Sequence, residues 1–104
     1  MPLELFSPYL VATTAVSVSG TTARGALNMP PSTPAGNVSV RIFNSVSVTV
    51  FVKFGDVTVT AATTDMPIPA GGVETFQISS QVTHVAGITA GTSGTLYVTP
   101  GLGA

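Results

Sequence analysis

Ser45-Val46-Ser47-Val48-Thr49-Val50-Phe51-Val52-Lys53-Phe54 alternates polar and apolar side chains almost without interruption. An extended chain repeats every two residues, so Val46, Val48, Val50, Val52 and Phe54 share one face and Ser45, Ser47, Thr49, Phe51 and Lys53 the other. That is the pattern of a half-buried strand. The residues before it behave alike, with Val38, Val40 and Ile42 inward and Arg41 outward. Asn44-Ser45 offers a turn between the two runs, which predicts that they pair as a hairpin. Gly55-Asp56 then breaks the alternation before Val57-Thr58-Val59-Thr60 resumes it, predicting a tight turn or bulge that bends the chain into another strand.

Working outward, strands are expected over 13–18, 73–78, 83–88 and 94–99. No stretch keeps a helical period for three turns, and the Val and Thr that dominate suit a pleated surface better than a helix. The expected fold is all-β: a single compact β-sandwich or jelly-roll-like domain of about seven strands. Asn28 to Asn37, with three prolines, and Pro67 to Gly72, with two, cannot supply a regular hydrogen-bond ladder and read as surface loops. The first is long enough for a binding element or a crossing between sheets.

A chain of 104 residues holds one modest core. Only 7% of its residues are charged while 44% are hydrophobic, and the mean hydropathy is +0.55, so its surface is expected to be adhesive. With a net charge of -1 and three cations, Arg24, Arg41 and Lys53, nucleic acid is not an expected partner. Those cations with Phe43, Phe51 and Tyr97 would make a poor stacking groove for a single strand, being too few to track a phosphate backbone. No run approaches the roughly 18 apolar residues of a spanning helix, and Met1 to Tyr9 lacks the basic start and unbroken apolar stretch of a secretion signal. Neither membrane insertion nor export by that route is expected, and synthesis in a host cytoplasm is. The absence of cysteine removes disulfides and sulfur-ligated metals.

The search for catalytic groups yields little. His84 is the single histidine, and no Gly-x-Ser-x-Gly elbow supplies a nucleophile for it. The acids Glu4, Asp56, Asp65 and Glu74 are scattered and lack calcium-loop spacing. A carboxylate pair would require folding to unite Asp56 or Asp65 with Glu74. Gly91 to Gly94 and Gly101 to Gly103 precede no helix and read as turn and tail glycines. Asn37-Val38-Ser39 matches the glycosylation triplet by accident in a chain without an export signal. The chain is expected not to be an enzyme and to need no cofactor or metal.

Two regions suggest contacts with partners. Residues 1–12 carry Leu3, Leu5, Phe6, Tyr9 and Leu10 among prolines without an evident partner strand. They are expected to form an N-terminal arm docked on another chain, beside a 13–104 domain; the alternative is a first strand completing the domain's own sheet. Phe51 points away from the valine stripe, either to contact a second sheet or to meet a partner.

Arg41 to Phe76 and Thr83 to Ala104, about the C-terminal two thirds, resemble small virion-structural proteins of tailed bacteriophages and prophages. The resemblance rests on Val50-Phe51-Val52-Lys53-Phe54-Gly55, on Met66-Pro67-Ile68-Pro69-Ala70-Gly71 and on Thr95-Leu96-Tyr97-Val98-Thr99-Pro100-Gly101. It implies a β-sandwich that decorates or cements a capsid. The expected partners are the major capsid protein and further copies of the chain, as a dimer or trimer on the particle. A tail, head-fibre or receptor-binding module is the alternative, and a hydrolase or carbohydrate-binding domain a distant third. No binding residue transfers from the resemblance, because the matching blocks read as fold-determining strands and turns.

Overall fold

The computed structural model describes residues 7–8, 13–27, 37–79 and 81–102, and among them it is all-β. The strands are β1 (Ser7–Pro8), β2 (Thr14–Val18), β3 (Ala23–Ala26), β4 (Asn37–Asn44), β5 (Val50–Gly55), β6 (Met66–Ile68), β7 (Val73–Ser79), β8 (His84–Ile88) and β9 (Gly94–Leu102). They form two antiparallel sheets. The first runs β1-β9-β4-β7, with β2 beside β9 on the flank that β1 continues, and the second runs β3-β8-β5-β6. The sheets pack face to face as a β-sandwich.

Valine alternation builds the space between them. Val16 and Val18 of β2, Val38, Val40 and Ile42 of β4, Ile78 of β7 and Leu96 and Val98 of β9 point inward from the first sheet. Val50 and Val52 of β5, Ile68 of β6 and Val85 of β8 meet them from the second. Phe54 and Phe76 close the side where β5 and β7 face each other, edge to face at 6.1 Å between centroids. On the opposite flank Thr14 donates its hydroxyl to the Ala26 carbonyl at 2.7 Å, tying β2 to β3 across the sandwich.

Of the strand expected over 45–54 only Val50 onward is one, as β5, and 45–49 form a bend; the apolar side chains of both parts still point inward, Val46, Val50 and Val52 buried and Val48 and Phe54 packed against the same core. The expected hairpin is not formed. β4 pairs with β7 and β9, whereas β5 pairs with β6 and β8 in the other sheet. The cause is Asn44, which is fully buried. Its side-chain oxygen accepts from the Val46 amide at 2.8 Å, and its amide nitrogen donates to the carbonyls of Val48, Ile68 and Pro69 at 3.0, 2.9 and 3.1 Å. An Asx-type turn therefore replaces the hairpin and carries the chain from one sheet to the other. The backbone of Asn44 also exchanges bonds with Gly72 and Gly71. Gly71, at φ +72°, takes a left-handed conformation that suits glycine.

Other expectations need correction. Among the described residues nine strands, some of only two or three residues, stand where about seven were expected. Val57 to Thr60 is not a strand, although the chain does bend at Gly55-Asp56. Pro67 lies within β6 rather than in a loop, at a sheet edge where a residue without an N–H is tolerated. Gly101 lies within β9 instead of starting a tail. The 28–36 connection joins β3 to β4, strands of different sheets, and lies outside the described residues.

Candidate functional site

What the sandwich leaves outside its core defines the surfaces available for function, and the two outer faces differ. On the second sheet, residues 56–65 form the long connection from β5 to β6 and fold back as a strap. Val59 and Ala61 of the strap pack on Ala86 of β8, with Ile88 against the same cluster. The Ala61 amide donates to the Thr22 hydroxyl at 2.8 Å, and Arg24 reaches the Val59 carbonyl at 3.4 Å. The strap explains why the alternation of 57–60 misleads: Val59 faces a small core of its own, outside the sandwich.

The strap begins with a turn held by Asp56, whose carboxylate accepts from the Thr58 amide at 2.8 Å and the Thr58 hydroxyl at 2.6 Å. These bonds, the hydroxyl first, hold the Asp56 carboxyl below its ordinary pKa, with a small contribution from His84. A depressed carboxylate stabilises the fold above its ordinary pKa and loses that contribution as pH falls through the lower, folded value. A carbon-detected NMR titration should therefore place the Asp56 midpoint below that of an ordinary aspartate. Thr58→Val should move it upward, and an unchanged midpoint would show that the hydroxyl bond does not hold the turn.

Beside the strap, Phe51 stands on the outer face between Ile88 of β8 and Pro67 of β6, with which it is in register. Phe51 and Ile88 are half-buried and Pro67 is exposed. Phe51 thus faces away from the sandwich core, and the contact with the first sheet that the sequence allowed is not made. In the turn that opens the strap Val57 is 59% exposed. Phe51, Pro67 and Ile88 give this face one short apolar row, followed on the same face by the exposed Lys53.

The first sheet has a different outer face. Val73, Phe43, Tyr97 and Ala15 stand in register in one line across β7, β4, β9 and β2. The rings of Phe43 and Tyr97 stack with 6.1 Å between centroids and 14° between planes, and Val73 is 55% exposed. Hydroxyl-bearing rows flank it. On one side lie Thr75, Arg41 and Thr99, with Thr13 bonded to the Thr99 hydroxyl at 2.8 Å. On the other lie Thr95 and Ser17, with Ser45 donating to the Thr95 carbonyl at 2.6 Å.

The structure separates groups that the sequence set side by side. Arg41, Phe43 and Tyr97 occupy the first outer face and Arg24, Phe51 and Lys53 the second, so they do not form one groove. His84 lies in β8 opposite Gly55, its Nδ1 2.9 Å from the Thr83 hydroxyl. Asp56 and Asp65 both serve local turns, Asp65 accepting from the Ala62 amide at 2.7 Å, and Glu74 is exposed on β7. Among the described residues no three His, Asp or Glu side chains gather closely enough for a metal ion, and no helix is long and apolar enough to cross a membrane. Val38 and Ser39 of the glycosylation triplet are buried in β4.

Of the expected partner-binding residues, Leu3, Leu5, Phe6, Tyr9 and Leu10 lie outside the described residues. Within that segment Ser7–Pro8 pairs with Gly101 and Leu102 of this chain's own β9. The line through Phe43 and Tyr97 was missed in the sequence. The outward parity of each ring is legible from its neighbours, but their adjacency depends on β4 pairing with β9. No family model, curated protein or solved structure matches this chain.

Proposed function

We propose that this chain is a non-catalytic structural protein of a tailed-bacteriophage particle, a capsid decoration or cement protein. It binds the outer surface of the shell and stabilises contacts between major capsid subunits, as a dimer or trimer. Strand order carries the reading. β2-β9-β4-β7 facing β3-β8-β5-β6 supports a jelly-roll reading, the eight-stranded double Greek key used by viral capsid domains among others. The resemblance of Val50 to Gly55 and Thr95 to Gly101 to phage virion proteins supports the same assignment, since these blocks supply β5 and most of β9.

A fold hosts many functions, so the site has to bear its part. The side that docks is the strapped second sheet, where Phe51, Pro67 and Ile88 offer an apolar row. Leu3, Leu5, Phe6, Tyr9 and Leu10, on either side of the Ser7–Pro8 strand that pairs with this chain's own β9, are the further contacts in this reading. Weak contacts of this kind suffice when linked copies engage neighbouring subunits together. The second reading, a tail, head-fibre or receptor-binding module, draws support from the aromatic line on the first sheet.

The test is the copy number of this chain in purified particles, by quantitative mass spectrometry against the major shell protein. A near-stoichiometric ratio is expected. A small fixed number per particle would move the chain to the tail or fibres, and absence would overturn both readings. In the decoration case Phe51→Ser should weaken particle binding by about tenfold while the domain stays folded, as for loss of an aromatic anchor.

A further inference from the structure

The line Val73, Phe43, Tyr97 and Ala15 lies on the face turned away from the proposed docking side, and its dimensions limit what it can hold. Crossing four strands spaced about 4.8 Å apart, it is roughly 14 Å long, and being one side chain deep it is about 7 Å wide. That is on the order of 100 Å², against about 800 Å² per partner in a stable protein interface. A second copy or a folded protein surface would need far more apolar area; a ligand one ring wide would not.

The flanking rows define the chemistry further. Thr75, Thr99 and Thr13 on one side and Ser45 and Ser17 on the other bring hydroxyls, each able to donate and accept, along both edges of the apolar line. Arg41 is the single charged residue of these rows. The matching ligand has an apolar face, hydrogen-bonding groups around its rim and no net charge. A hexopyranose has this form, with axial C–H groups on its face and hydroxyls at its edge, and a chain of them repeats it along a line.

We propose that the outer face of the first sheet binds an uncharged polysaccharide. The chain lies across the strands, its C–H faces packed on the exposed side of the Phe43–Tyr97 pair and its hydroxyls against the Thr and Ser rows. Aromatic side chains combine an apolar face with low conformational cost, and the stacked pair holds both rings in place before the ligand arrives. The inference goes beyond the decoration role and does not depend on it.

The test titrates the full, isotopically labelled chain with cellohexaose, mannohexaose and maltohexaose, and with hexagalacturonate as an acidic control, following backbone amides by NMR. At least one neutral sugar is expected to shift amides confined to β2, β4, β7 and β9, while the acidic sugar is weaker. Phe43→Ala and Tyr97→Ala should each weaken binding by about tenfold. Tyr97→Phe should retain it, which separates ring contact from hydrogen bonding by the phenol, and unchanged amide dispersion in the alanine variants separates lost contact from lost folding. Phe51→Ser should leave sugar binding unchanged, and Phe43→Ala should leave particle binding unchanged, so each proposal can fail alone. Absence of shifts with every neutral sugar, shifts elsewhere on the molecule, or preference for the acidic sugar would overturn the inference. So would loss of particle binding in Phe43→Ala.

Discussion

Asn44→Ala is expected to lower the free energy of unfolding by about 3–4 kcal/mol, a large part of what a domain of this size possesses. The side chain is fully buried and makes four hydrogen bonds, to the Val46 amide and to the carbonyls of Val48, Ile68 and Pro69. Alanine fills part of the volume but leaves an amide and three carbonyls in search of partners where water has little access. Each unsatisfied group costs about 1–3 kcal/mol, softened by local relaxation. Asn44→Asp should be no better, since it keeps the acceptor, removes the donors and adds a buried charge. Guanidinium denaturation followed by circular dichroism would measure both. A loss below about 1 kcal/mol in Asn44→Ala would show that the corner between β4 and β5 is held by the valines around it instead.

Gly87→Ala is the second large effect, with an expected cost of about 2–3 kcal/mol through overpacking. Gly87 lies in β8, and a Cβ there would stand 2.8 Å from Val18 Cγ1, 3.4 Å from Val50 Cγ1 and 3.5 Å from Leu96 Cδ2. These are side chains of both sheets, all fully buried or nearly so, and none can swing into solvent. The cost is therefore steric. A double-mutant cycle tests this: Val18→Ala makes room for the new methyl, so the double variant should be more stable than the sum of the single losses predicts, by about 1–2 kcal/mol. Additive losses would mean that β8 shifts as a whole rather than pressing on Val18.

The two substitutions probe different parts of one design. Asn44 sets how the chain passes from the first sheet to the second, and Gly87 sets how closely the sheets approach. The apolar surfaces proposed for the shell and for the polysaccharide lie outside both. Substitutions at Phe51 or Phe43 should thus change binding with little effect on unfolding, in contrast to Asn44 and Gly87.

The alternation in 38–42 and 45–54 was enough to identify an all-β fold and to divide inward from outward side chains. Val38, Val40, Ile42, Val46, Val50 and Val52 are buried and Arg41 and Lys53 exposed, as their parity requires. That part is local, because a period of two follows from the geometry of a single strand. The outward direction of Phe51 was legible for the same reason. Parity says nothing about which strand lies alongside, so the hairpin expected at Asn44-Ser45 was a plausible error. Its correction depends on carbonyls of Ile68 and Pro69, more than twenty residues away. Val59 illustrates the limit again: its alternation is real, but it answers to Ala86 beneath a strap and not to the sandwich core. The line through Val73, Phe43, Tyr97 and Ala15 exists only because β7, β4, β9 and β2 pair in one register. The sequence by itself determined which residues of β4 and β5 turn inward, since each strand carries that information in its own period. The tertiary structure alone decided which strands are neighbours, because pairing satisfies backbone groups that are alike at every residue and is selected only by the packing of the whole core.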